Sequence, residues 1–389
     1  MKNIFRISSA ALSLLLVTSF PATTLAQEST FILEEVIVTA QKREQSLQDV
    51  PVAVSALTSA DIANAEIRDI RSLQLLSPSI NVTQSAAAYQ TSISIRGIGT
   101  SGFNPGLEPS VGVFVDGVYR SRTGSSIGDF NDLERIEVLR GPQSTLYGKN
   151  SSAGVIGYYT RKPEFEASGE AEISLGNYSR TIASVRITGP LVADTLAYSL
   201  TANYNKRDGF IDNPAQDIDV NDRDRWGLRG QLLWNAGDTV QVRFIADVSE
   251  HRELCCAAPI FINGPTTPLI AALGGTIVSP ADPFNRVVNL DSKMKSNMVD
   301  SGVSMQIDWE INDSVQFTSI TGYRDFESAT DFDADFTNVE LVREQGNLTQ
   351  IKAFTQEFRF ASTGDNRVDW QAGAFFYDQD LHVEGKVHY

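Results

Sequence analysis

The chain has 389 residues, 42% hydrophobic and 21% charged, a composition that excludes an intrinsically disordered protein and suits two or three domains. A formal net charge of −16 excludes phosphate-driven nucleic-acid binding. The only cysteines are the adjacent Cys255 and Cys256, and the only histidines His251, His382 and His388, so no metal site, cofactor site or enzyme active centre is read.

In chain order, residues 1–26 read as a signal peptide. Lys2 and Arg6 open it, an apolar run too short to cross a bilayer comfortably follows, and Thr24-Leu25-Ala26 offers small residues for cleavage. Cleavage leaves 30 basic and 48 acidic residues, a net charge of −18. In residues 27–47, polar flanks surround one β-branched core, Val36-Ile37-Val38-Thr39. So short a strand is either the first of the next domain or one held for another protein by edge addition. Twenty-one extended residues would reach roughly 70 Å.

Residues 48–162 read as α+β. A strand is predicted over 50–57, a short helix capped by Thr58 or Ser59, a second helix over 70–76, and strands over 93–96 and 111–115. The last leads into the turn pair Asp116-Gly117. Residues 97–102 match a GxGxxG phosphate-binding pattern, but Phe103-Asn104-Pro105-Gly106 cannot continue as the helix that pattern needs. Arg135 to Leu139 alternate as a strand, Gly141-Pro142 turn the chain, and residues 151–157 are small and Gly-rich, suited to close backbone contact.

From residue 163 the pattern changes to about nine alternating strands. Leu196, Tyr198 and Leu200 oppose Ala197, Ser199 and Thr201; Phe244 opposes Gln241 and Arg243; Phe358 and Phe360 oppose Glu357. Short connections at 191–195, 235–239, 311–314 and 363–367 face long ones at 210–224, 251–297 and 327–347. Short turns at one end and long loops at the other mark an outer-membrane barrel. Trp226, Trp234, Trp309, Tyr323 and Trp370 suit its interfacial girdles. The fold class is therefore an α+β plug domain followed by an antiparallel transmembrane β-barrel in outer-membrane lipid. An odd ninth strand ends outside, so the barrel reads as truncated.

The stretch LERIEVLRGPQSTLYGKNSSAGVI, with ISIRGIGTSG before it, closely resembles the plug of TonB-dependent outer-membrane receptors. The resemblance covers essentially the whole chain and implies four regions: signal peptide 1–26, periplasmic extension 27–47, plug 48–162 and N-terminal barrel 163–389. It also implies a truncated 22-stranded barrel, since 22 strands at this length per strand need roughly 550 residues. It implies that Glu35, Val36, Ile37, Val38, Thr39 and Ala40 form the box that pairs with TonB and its inner-membrane energising complex. Gly97, Gly141, Pro142 and Gly148 carry the plug motif. Arg96 and Arg140 would meet barrel glutamates, and TQEFRF resembles the segment supplying one, Glu357. The implied activity is energised uptake of a scarce ligand, most commonly a ferric siderophore. Cobalamin, an oligosaccharide or a non-energised adhesin stay open.

Two weaker signals remain. Cys255-Cys256, in the longest outer loop and an oxidising compartment, would close a vicinal disulfide or stay as thiols. The acidic run at 331–335 begins like a calcium loop, but Phe336 and Val342 occupy the glycine and acid positions such a loop needs, so a solvated loop is expected.

Overall fold

The computed structural model describes residues 36–85, 87–126, 132–276, 283–364 and 367–388. The signal-peptide reading and Glu35 lie outside them. The plug opens with β1 (Ile37–Val38) and β2 (Gln45–Ser46), paired antiparallel. It continues with β3 (Val54–Thr58) and α1 (Ser59–Asn64), where Thr58 and Asp61 form a reciprocal capping box. The second predicted helix is only a 3-10 turn, Ser72–Leu75, because Pro78 follows it closely. Then come β4 (Ile80–Gln84), β5 (Thr91–Ile95), β6 (Ile98–Gly99), β7 (Val111–Val115), β8 (Val118–Arg120), β9 (Leu133–Arg140), α2 (Ser144–Tyr147) and β10 (Gly154–Thr160).

Strands β3, β9, β10, β7 and β8 form one sheet in that order, β10 parallel to β7 and antiparallel to its other neighbour. Ile62, Ile67, Ile70, Leu73, Ile93, Val113, Ile136, Val138 and Ile156 make the plug core. At Gly154 strand β10 runs close against β9: a Cβ there would lie 2.4 Å from the Leu139 carbonyl oxygen. Asp116 and Gly117 both have positive φ, 48° and 79°, the two-residue turn that fits the strand twist of a hairpin.

The wall is one antiparallel sheet of nine strands: β11 (Ser168–Gly176), β12 (Arg180–Val192), β13 (Leu196–Arg207), β16 (Arg223–Asn235), β17 (Val240–Leu254), β18 (Lys295–Asn312), β19 (Val315–Asp333), β20 (Arg343–Ser362) and β21 (Gln371–His388). Two short strands, β14 (Ile211–Asn213) and β15 (Ile218–Val220), and the helix α3 (Thr267–Ala272) ornament the long connections. The outer hairpin of β19 and β20 departs from expectation. Its ladder runs on to Asp333 and Arg343, so most of 327–347 is strand and the loop is short. Backbone pairing continues there beyond the membrane because the tip is tied down: the Asp335 carboxylate accepts from the amides of Thr337, Leu341 and Val342.

Among the described residues no helix is long and apolar enough to cross a membrane; the crossing elements are strands. Leu200, Leu228, Phe244, Val303, Phe358 and the girdle aromatics are exposed on one face, while Ser199, Thr201, Arg243 and Glu357 are buried on the other, against the plug. Phe244 is 40% exposed and lies well inside its strand. Phe244→Arg should cost roughly 2–4 kcal/mol at the bilayer midplane. Gln241→Arg, on the lumen face, should cost far less. Urea unfolding of the full-length receptor in lipid vesicles measures both; equal costs would mean that the faces are reversed.

Candidate functional site

The candidate site is the plug where it is seated against the wall, and the segment that precedes it. Residues Val36–Ala40 are not an extended arm hanging free. Val38 and Ala40 are almost fully buried among Phe114, Tyr119, Leu139, Tyr147 and Val155, with Val36 packed beside them. Alternation is the cause: Val36, Val38 and Ala40 share one side of the strand, whereas Ile37, on the other, is 43% exposed. Thr39 donates its amide to Glu137 Oε1 at 2.8 Å, and Arg135 Nε meets the same oxygen at 2.8 Å. Tyr147 donates its hydroxyl to the Ala40 carbonyl at 3.2 Å.

Lys42 then turns the segment towards the wall. Its φ is 59°, its ammonium lies 2.5 Å from Glu357 Oε2 and 4.9 Å from the centre of the Tyr147 ring. Burial pulls the ammonium below its usual pKa, and Glu357 works against that fall. Arg359 holds the other oxygen of Glu357 at 2.7 Å. Thr39, Lys42, Arg43 and Gln45 share a cavity of about 1140 Å³ with Asp194, Asn235, Asp238 and Thr363, which lie at the short turns. The segment therefore sits at the periplasmic end.

The expected arginine partners of Glu357 are corrected by this arrangement. Arg140 directs Nη2 to the Val54 carbonyl at 3.5 Å, and Arg96 lies in the β5–β6 turn with its amide on the Ser79 carbonyl. Neither meets Glu357, because Lys42 and Arg359 already occupy both carboxylate oxygens. We expect Lys42→Ala and Glu357→Ala each to expose residues 36–47 to protease in the full-length receptor, and the double variant to add little. Additive effects would mean that the pair does not hold the segment.

The main contacts between plug and wall were missed by sequence reasoning. Asp116 meets Arg243 at 3.3 Å, Asp132 meets Arg186 at 2.9 Å, Asp69 meets Arg223 at 3.2 Å, and Arg120 meets Asp300 at 3.5 Å. In each pair both side chains are mostly buried. Burial works to raise the Asp69 carboxyl, but Arg71, Arg223 and Arg225 together hold it well below the usual carboxylate range. The available signal was register: Arg186, Arg223 and Arg243 all stand on lumen-facing positions of their strands.

The motif residues Gly97, Gly141 and Gly148 have φ of 79°, 94° and 73°, conformations that a side chain would strain. Pro142 follows the second of them, at the end of β9. At the GxGxxG pattern, Ile98–Gly99 is a strand paired with β5, so no helix begins at these glycines. At the outer end, Cys255 and Cys256 form a vicinal disulfide with S–S 2.11 Å, and Gln84 of the plug donates to Cys256 Sγ at 2.7 Å.

An α+β plug held by buried ion pairs against a lipid-facing antiparallel wall defines a plugged outer-membrane barrel. Residues 46–155 match the TonB-dependent Receptor Plug Domain. The chain therefore carries a TonB-dependent receptor plug domain, and the strands that follow share the fold of the plugged outer-membrane barrels it resembles. It is 32% identical over 222 residues to the iron-regulated outer membrane virulence protein of Vibrio cholerae, covering 52% of this chain and 32% of the relative. It is 31% identical over 251 residues to the probable TonB-dependent siderophore receptor PirA of Acinetobacter baumannii, covering 57% and 32%. The fold superposes on the ferric yersiniabactin uptake receptor FyuA of Yersinia pestis with a TM-score of 0.73 at 19% identity, covering 87% of this chain and 50% of FyuA. The chain thus spans about a third of the length of these curated relatives. The family is one of transport receptors, not of enzymes.

Proposed function

We propose that the protein imports a ferric siderophore across the outer membrane, driven by TonB from the inner membrane. The observation that carries this reading is the segment Val36–Ala40 around β1, docked at the periplasmic end by Glu137 and followed by the Lys42–Glu357 pair. Within it β1 turns Ile37 outward and is paired with β2 along one backbone edge only, so another chain can add along the other edge by backbone pairing. Relatives named as a siderophore receptor and as iron-regulated support the ligand class. The domain reading follows: a signal peptide, a TonB-binding extension, a plug and the first barrel strands. The test is uptake of radiolabelled ferric siderophores by iron-starved cells carrying the full-length receptor, with and without TonB. Uptake that requires both receptor and TonB is the expected result. Uptake unaffected by loss of TonB would overturn the energised reading.

A further inference from the structure

The Cys255–Cys256 disulfide has no part in the import reading, yet the fold gives it defined partners on two sides. On the wall side Asn221 brackets it. The Asn221 amide donates to the Leu254 carbonyl at 2.6 Å, and its side chain accepts from the Ala257 amide at 2.9 Å and donates to the Ala257 carbonyl at 2.8 Å. The Asp222 carboxylate takes the Leu254 amide at 2.6 Å. Backbone before and after the disulfide is thus fixed, and the sulfurs are what is left free to change.

On the plug side, Ala88 is buried with Cys255, Met298 and Phe326 in one apolar cluster, with Tyr89 and Cys256 at its edge. The Ala88 amide donates to Ser296 Oγ at 3.4 Å. Gln84 Nε2 lies 2.7 Å from Cys256 Sγ and 3.6 Å from Cys255 Sγ, so one amide group serves both sulfurs. Arg71 Nη1 donates to Gln84 Oε1 at 2.8 Å, and its Nη2 donates to Asp69 Oδ2 at 3.1 Å. Arg71 stands in an outer cleft also lined by Arg68, Arg180, Arg207 and Arg223, whose charges are met by carboxylates that include Glu172, Asp222 and Glu253. What acts on the disulfide is therefore the chain from guanidinium to amide to sulfur, not an excess of charge. A guanidinium that draws on the amide oxygen makes the amide N–H a stronger donor.

Such a donor acts most strongly on a sulfur that has become a thiolate. Cys255 is 5% exposed and Cys256 is half-buried, so an incoming thiolate reaches Cys256 Sγ first. Cys255 is then the leaving group, and Gln84 Nε2 is the donor that meets its charge. Exchange is faster the better the leaving thiolate is stabilised.

We propose that Cys255–Cys256 is a thiol–disulfide exchange site at which an external low-molecular-weight thiol unlatches the plug from the outer loop. The thiolate attacks Cys256 Sγ, the bond between the two cysteine sulfurs breaks, and Cys255 leaves as a thiolate beside Gln84. A second thiolate attacks the external sulfur of the mixed disulfide and frees Cys256. Two external thiols are thereby oxidised to one disulfide; their two electrons reduce Cys255–Cys256, and their two protons end on the cysteine thiolates. The two thiols turn independently of each other, so the contact shared by Gln84 and the packing of Ala88 against Cys255 are lost together. Exchange at the sulfurs stands on this geometry alone; its consequence for transport rests on the import reading.

The test uses the full-length receptor in detergent, with reduced glutathione as the thiol. Iodoacetamide traps free thiols, and mass spectrometry reads them at Cys255 and Cys256. Both should be trapped in the wild type at a rate that rises with glutathione. Gln84→Leu should slow trapping roughly tenfold, and Arg71→Gln, which keeps the amide but removes its polarising partner, should slow it by less. A merely structural role for Gln84 gives the opposite sign, because a loosened plug would expose the sulfurs and speed trapping. Hydrogen–deuterium exchange reads the latch: amides of residues 87–91 should exchange faster in the reduced receptor and in the Cys255→Ser/Cys256→Ser variant, while those of Val111–Val115 stay unchanged. No trapping in the wild type, or trapping at least as fast in Gln84→Leu with retained heat-modifiable mobility, would overturn the exchange site. Unchanged exchange at 87–91 after reduction would overturn the latch. Neither measurement needs TonB or a siderophore, so their failure leaves the uptake reading standing, and failed uptake leaves them standing.

Discussion

Ile37→Pro is expected to reduce uptake by the full-length receptor to the level of cells lacking TonB, while ligand binding at the surface persists. Proline removes one backbone donor and forces the strand out of ladder geometry. Ile37 is the outward residue of β1, whereas burial of the neighbouring Val38 belongs to the plug. The substitution therefore acts on the face offered to a partner strand more than on the plug core. Ile37→Val, which keeps donor and β-branching, should transport normally. Normal uptake by the proline variant would remove the box from residues 35–40.

Arg243→Ala should produce the largest loss of plug retention of any single wall substitution considered. Arg243 is 7% exposed and spans three partners: Asp116 Oδ1 at 3.3 Å, Thr160 Oγ1 at 2.8 Å and Gln231 Oε1 at 2.6 Å. Truncation leaves the buried Asp116 without its cation, a loss of about 3–5 kcal/mol for pairs of this kind. Asp116 also accepts from the Thr160 amide and hydroxyl, both at 2.9 Å, so the loosening should pass into the last plug strand. Arg252→Ala is the control, since that side chain is 68% exposed and its pair with Glu250 is worth about 0–1 kcal/mol. Urea-induced release of the plug from the full-length barrel measures both. Similar midpoints for the two variants would show that the Asp116–Arg243 contact does not retain the plug.

Several local features were legible because they depend on few residues. Asp116-Gly117 supplies its own turn, Thr58 its own cap, and strict alternation from residue 196 onward assigns one face to lipid and one to the lumen. Glu357 was correctly placed on the lumen side by the same rule, since a period of two leaves only two choices. Its partner was not legible. Alternation says which way a side chain faces but not what stands opposite, and the separation from Lys42 to Glu357 is 315 residues.

The sequence by itself determined that a plug precedes an alternating wall, which two faces that wall has, and the β-branched character of residues 36–39. Each rests on short-range stereochemistry or on a period of two. Only the tertiary structure decided that residues 36–40 are packed under Tyr147 instead of hanging free, that Lys42 and not Arg140 takes Glu357, and that five arginines meet in one outer cleft. Those outcomes depend on how far the plug is inserted and turned within the wall. That position is set by buried charge pairs between residues distant in the chain, and no local pattern encodes it.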